Sequence, residues 1–174
     1  LSYNIMSFGN MKKENGQNPI LNYIKNSNAD IVCMQEYAGS ETAKIHLSNK
    51  EIRQALKDYP YHNIKQVGKT GAGSQLACYS KFPILSARML DYRSNYNGSM
   101  VYEIKIGKDT VLLINNHLES NKLTREDKVV YEDMLKDPKA GKVKSGVRQL
   151  VNKLAEASAI RSAQARTIAQ EIAH

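Results

Sequence analysis

Residues 28–36 read N-A-D-I-V-C-M-Q-E. Asp30 follows a turn, Ile31, Val32, Cys33 and Met34 run apolar, and the run stops at Gln35 and Glu36. A short apolar run bounded by polar residues predicts a buried strand. A carboxylate at the exit of such a strand is fixed by the strand and open to solvent at its tip. That is a working position for a hard-cation ligand. Glu36 is therefore a candidate metal ligand, and the competing reading is a solvated loop residue.

Upstream, residues 1–7 alternate loosely through Leu1, Tyr3 and Ile5 and predict a first strand. A polar loop with Gly9 and Gly16 follows over residues 8–18. Asn18 then caps a helix that opens on Pro19, where a missing N–H costs nothing, with Ile20, Leu21, Tyr23 and Ile24 as its apolar face. Downstream, residues 37–48 read as a loop through Gly39 and Ser40, and Ser48 or Asn49 caps a second helix carrying Ile52, Ala55 and Leu56. Strands are expected at 61–67, 76–79, 84–92, 100–106 and 111–114. Turns are expected at Gly68, Gly71 and Gly73, at 95–98, and at the 107–109 hairpin. The 111–114 strand is fully apolar and ends at Asn115, Asn116 and His117. Helices between the first strands suggest helix over sheet, and the hairpins suggest a mixed or antiparallel sheet.

After His117 the character changes. Residues 124–135 predict a charged helix stopped by Asp137-Pro138, and Gly141 and Gly146 bracket an expected loop. A long helix is expected from residue 147 to 174, with the apolar stripe Val147, Leu150, Val151, Leu154, Ala157, Ala165, Ile168 and Ile172. Arg161 falls inside that stripe and needs a carboxylate, a carbonyl or a phosphate.

With 174 residues the chain fits one domain with a sizeable core. Apolar residues make up 41% and charged residues 24%, which argues against disorder. Within residues 1–174 no apolar run is long enough to span a bilayer and no secretory signal is read, and a signal or anchor before Leu1 stays open. Leu1 lies inside a strand pattern and His174 inside a helical one, so the expectation is a piece of a longer protein. Cys33 and Cys78 read as buried free thiols and leave the compartment open. A net charge of +8 favours phosphate-bearing partners. Lys136, Lys139, Lys142, Lys144, Arg148 and Lys153 concentrate that charge, either as a solvated face or as a binding patch.

Three sequence-distant positions share one character. Asn4 sits in an apolar strand, Glu36 at the end of another, and Asn116 and His117 at the end of a third. Strands pointing the same way in one sheet would bring these ends to one edge. An amide, a carboxylate and an imidazole there suit a metal-bound phosphate: Glu36 as cation ligand, Asn4 orienting Glu36 or the ion's waters or touching the phosphate, and His117 donating to a phosphate oxygen.

The segments L-S-Y-N-I-M-S-F-G (1–9), A-D-I-V-C-M-Q-E (29–36), S-Q-L-A-C-Y-S-K-F-P-I (74–84), V-L-L-I-N-N-H-L-E-S (111–120) and R-S-A-Q-A-R-T-I-A-Q-E-I (161–172) resemble the endonuclease/exonuclease/phosphatase family. Their His117-Leu118 form is similar to the deoxyribonuclease and sphingomyelinase branch. The resemblance implies an α/β sandwich of two sheets flanked by helices, here truncated to a single incomplete domain over residues 1–174. It implies Mg²⁺-dependent hydrolysis of a phosphate ester, with Mn²⁺ as an alternate ion. The substrate could be a nucleic acid, a lipid head group or a small molecule. The metal-site residues implied are Glu36 and Asn4. Asn4 and Asn116 are implied to face substrate, His117 to face the phosphate catalytically, and Arg161 and Gln164 to have mainly structural duty. The family's later Asp-x-Asn and Asp-His motifs do not occur in residues 1–174, so the chain alone is expected to be inactive. A non-catalytic scaffold binding a phosphate-rich or protein partner is the alternative.

Overall fold

A computed structural model of the chain describes residues 1–10, 17–39, 47–67, 75–92, 94, 96–136 and 141–173. The glycine turn at Gly68, Gly71 and Gly73, the turn start at Asn95, the loop residues Gly16 and Ser40, Lys139 and the stop at Asp137-Pro138 lie outside the described residues. Two compact units are present, residues Leu1–His117 and Leu118–His174.

The first unit is an α/β sandwich. One sheet runs in the order β1 (Ser2–Asn4), β2 (Ile31–Tyr37), β4 (Gln75–Ser80), β3 (Tyr61–Gln66), and the other runs β5 (Ile84–Met89), β6 (Gly98–Ile106), β7 (Asp109–His117). β1 and β2 are parallel and every other described pair is antiparallel. Two sheets are present, as the family resemblance implies, and not the one sheet in which the three strand ends would share an edge. β7, which carries His117, is in a different sheet from the strands of Asn4 and Glu36.

Alternation along β2 assigns its faces. Val32 and Met34 pack with Ile20, Leu21 and Ile24 of α1 (Pro19–Asn26) and Ile52 of α2 (Asn49–Ala55). Cys33, with Ile31 beside it, joins Leu76 and Cys78 of β4 against Met100, Tyr102 and Ile104 of β6. The core therefore has two layers, helix on sheet and sheet on sheet. The helix caps form as their sequences require. Asn18 Oδ1 accepts from the Ile20 and Leu21 N–H groups, and Ser48 with Glu51 completes a reciprocal capping box.

Several boundaries differ from the sequence expectation. β1 ends at Asn4, because Met6, Ser7, Phe8 and Gly9 turn at φ 44, 55, 58 and 80°. Phe8, expected in a polar loop, is buried and meets the Tyr37 ring edge-on at 5.4 Å. β5 stops at Met89, and β7 extends through Asn115, Asn116 and His117 rather than ending before them. Val111 and Leu112 at the start of β7 are exposed, so an apolar run there did not mean burial on both faces.

In the second unit, α3 (Arg125–Lys136) is followed by α4 (Gly141–Ile172). Thr124 caps α3: its Oγ1 accepts from the Asp127 N–H, and Asp127 Oδ2 accepts from the Thr124 N–H. The Lys153 ammonium donates to Asp127 at 2.6 Å, and together with the Thr124 bond it holds this carboxyl below the usual range. The loop expected between Gly141 and Gly146 is helical. A glycine is used at 146 because a Cβ there would lie 2.5 Å from Val130 Cγ1 of α3. Gly146→Ala gains helix propensity of about 1 kcal/mol but loses more to this clash, for a net destabilisation of about 1–2 kcal/mol. Denaturant unfolding should show that loss, and the Val130→Ala background should reverse its sign. The α4 stripe is also shifted from expectation. Ala157 and Gln164 are buried, while Val151, Ala165 and Ile172 are exposed. Among the described residues no helix is long and apolar enough to cross a membrane.

Candidate active site

Strict alternation would send Glu36 toward the helices, because Met34 faces them. A bulge prevents this. Met34 pairs with Ala77 and Tyr37 pairs with Gln75, so three steps on β2 match two on β4. Glu36 sits in the bulge at φ 52°, a left-handed conformation unusual for a residue other than glycine. The extra residue puts Gln35 and Glu36 on the same side, and Tyr37 returns to the helix-facing core.

Two groups meet Glu36 there. Asn4 Nδ2 donates to Glu36 Oε1 at 2.9 Å, and His117 Nε2 lies 3.4 Å from the same oxygen. The second contact is longer than a good hydrogen bond. Asn4 is itself fixed, since its Oδ1 accepts from the Met6 N–H at 3.1 Å. The left-handed turn after β1 supplies that donor. His117 Nδ1 is buried with no hydrogen-bond partner in the described structure. The structure thus brings Asn4, Glu36 and His117 together, from both sheets.

Asn116 goes elsewhere. It points to the opposite face of β7 from Asn115 and His117, as alternation requires, and its Oδ1 accepts from Ser99 Oγ. The Tyr92 hydroxyl hydrogen-bonds that same Ser99 at 2.6 Å, and burial pushes the Tyr92 phenol above its ordinary range. In the second unit, Arg161 finds the carbonyl its position required: Nη1 donates to Glu119 O at 3.1 Å and to Asn121 Oδ1. Gln164 Oε1 accepts from the Glu119 N–H at 2.9 Å. Both side chains hold the segment that follows His117.

Sequence reasoning passed over Gln35 and Asn115. Gln35 Nε2 donates across the sandwich to Asn115 Oδ1 at 2.6 Å, and Asn115 Nδ2 donates to the carbonyls of Met34 and Ala77 at 3.3 and 3.2 Å. This buried amide pair ties β7 to β2 next to the bulge. The available signal was an asparagine two positions before His117, on the same face of an apolar strand.

A model of the Endonuclease/Exonuclease/phosphatase family matches residues 1–167. The chain belongs to that family. The family acts on phosphate esters and is generally dependent on a divalent metal. No curated protein matches the chain. Among solved structures, SmcL is similar at 17% identity and TM-score 0.46, covering 76% of this chain and 53% of that one. Sphingomyelinase C from Streptomyces griseocarneus is similar at 18% and 0.42, covering 57% and 41%. D. rerio TDP2, complexed with a single-strand DNA product, is similar at 13% and 0.49, covering 80% and 54%. The chain therefore spans about half the length of these structures.

The residues present are compatible with the family's divalent ion. Glu36 offers a carboxylate, a hard donor, while Asn4 turns its Nδ2 to that carboxylate and its Oδ1 to the Met6 N–H. Mg²⁺ commonly rests on one or two carboxylates and completes its shell with water and phosphate oxygens. Among the described residues no group of three or more His, Cys, Asp or Glu side chains converges, so an ion here would depend on such outside oxygens.

Proposed function

We propose that this chain forms part of a metal-dependent phosphoesterase that hydrolyses a phosphate mono- or diester with water. The observation that supports it is the bulge at Glu36, which turns a carboxylate out of strand register toward Asn4 and His117. Strained backbone of this kind is concentrated at functional sites, where surrounding structure pays for it.

In this reading Glu36 holds Mg²⁺ or Mn²⁺, with Asn4 keeping the carboxylate in place. When bound, the ion neutralises phosphate charge and acidifies water. His117 Nε2 faces the same space and donates to a non-bridging phosphate oxygen, stabilising the charge that grows there as the ester bond breaks. Asn4 holds one carboxylate oxygen and leaves the other open, since both contacts to Glu36 fall on Oε1. The family's Asp-x-Asn and Asp-His motifs, which supply the water-activating base and further site groups, are absent from residues 1–174. In this reading the chain alone is inactive, and turnover requires a longer protein that carries those motifs.

The test is hydrolysis of bis-p-nitrophenyl phosphate, a nucleic acid and a choline phosphodiester, with Mg²⁺ or EDTA. The longer protein should turn over at least one of them only with the metal. The 174-residue chain should turn over none. Robust turnover by the 174-residue chain would refute its assignment as an incomplete site. Salt-sensitive binding to DNA or anionic vesicles without turnover by the longer protein would replace the enzyme with a binding domain.

A further inference from the structure

Cys33 and Cys78 lie outside the candidate site, face to face on β2 and β4. The hydrogen-bond pattern fixes how close they are. The Cys33 N–H donates to Leu1 O at 2.8 Å, and Gln35 O accepts from the Ile5 N–H at 3.0 Å. The odd-numbered residues of β2 therefore aim their main-chain groups at β1, not at β4. Cys33 and Cys78 are consequently a non-hydrogen-bonded antiparallel pair, the closer kind, with Cα atoms about 4.5 Å apart. A disulfide bridges Cα separations of about 4.4–6.8 Å, so the pair falls at the near end of the permitted range. Both side chains enter the same inter-sheet core, and both are free thiols.

We propose that Cys33 and Cys78 are a peroxide-responsive dithiol that closes into an intramolecular disulfide pinning β2 to β4. In the first step the Cys33 sulfur attacks a peroxide oxygen. The O–O bond breaks, Cys33 becomes a sulfenic acid, and one water (or alcohol) leaves. In the second step the Cys78 sulfur attacks the sulfenic sulfur, the S–O bond breaks, and a second water leaves with the Cys78 proton. The two thiols lose two electrons, and the peroxide accepts them. Cys33 goes first because it retains a little solvent exposure while Cys78 has none. The Tyr102 hydroxyl, buried and without a hydrogen-bond partner among the described residues, has its ionisation opposed first by burial and then by these two thiols, so a third polar group stands at this spot in the core.

The reduced 174-residue chain, treated with hydrogen peroxide and then alkylated in denaturant, tests this. Both thiols should disappear together, the mass should fall by about 2 Da, and digestion should yield the peptides of Cys33 and Cys78 joined. The melting midpoint should rise by roughly 5 °C or more and return with dithiothreitol. Thiols that persist, a link between two molecules, or an unchanged midpoint would overturn the proposal. In a folded Cys78→Ala variant, dimedone should trap a sulfenic acid on Cys33, and failure to trap one would overturn the order of attack.

Discussion

In the longer protein, Glu36→Gln should lower turnover at saturating Mg²⁺ by roughly 100-fold or more, the scale of losing one electrostatic group in a preorganised site. The substitution is nearly isosteric. Gln at 36 can still accept from Asn4 Nδ2, so the contact at 2.9 Å survives and the bulge keeps its shape. What is lost is one negative charge, and with it the affinity for a hard cation. Stability should move by less than about 1 kcal/mol, because the Glu36 side chain is partly exposed and its contacts lie at the rim. Glu36→Gly separates the two demands on the residue. The backbone at φ 52° costs a non-glycine residue about 1–2 kcal/mol, so glycine should raise stability by about 1 kcal/mol while abolishing turnover. Steady-state kinetics across a Mg²⁺ titration, with urea melts of the same variants, checks both parts. Full activity with unchanged Mg²⁺ dependence in Glu36→Gln would remove Glu36 from the metal site.

The same residue shows how far the sequence could be read. The buried strand at 31–37 was legible because four apolar residues in a row have few other uses, and the helix caps were legible because Asn18-Pro19 and Ser48 with Glu51 are local chemistry. The bulge was not legible. It is one inserted residue, visible in the β2–β4 register and in the φ of Glu36, and no side-chain pattern announces either. The division into two sheets came from the family resemblance and was not readable from the turns. Turn signals say that strands reverse, but not which strands share hydrogen bonds across long separations. Arg161 was read correctly as needing a partner, while Gln164, a polar residue, is buried in the same helix. Gly146 misled because glycine marks both loop and close packing. Only the distance to Val130 distinguishes the two.

Asn115→Asp should be among the most damaging single substitutions in the first unit, costing about 3–5 kcal/mol at neutral pH. Asn115 is buried at 2% exposure and acts at both ends. Its oxygen accepts from Gln35, and its NH₂ donates to the carbonyls of Met34 and Ala77. Aspartate keeps the shape and the acceptor but sets a second oxygen against two carbonyl oxygens. Burial and those carbonyls would raise the folded-state pKa of this carboxyl above its unfolded value, near 4. The sign then follows from linkage. Below the unfolded pKa the group is protonated in both states, donates one bond to a carbonyl, and the variant loses only about 1–2 kcal/mol. As pH rises, the unfolded chain releases its proton first, and the penalty grows until the folded pKa is passed. Urea midpoints at pH 4 and pH 7 should therefore diverge for the variant relative to the unmodified chain. An equal loss at both pH values would mean that the two carbonyls do not face this side chain. Because His117 follows two residues later on the same strand face, the Gln35–Asn115 bond also ties the strand of the imidazole to β2 beside Glu36. A site assembled from two sheets needs such a cross-sheet tie, and this chain places it one residue before the bulge.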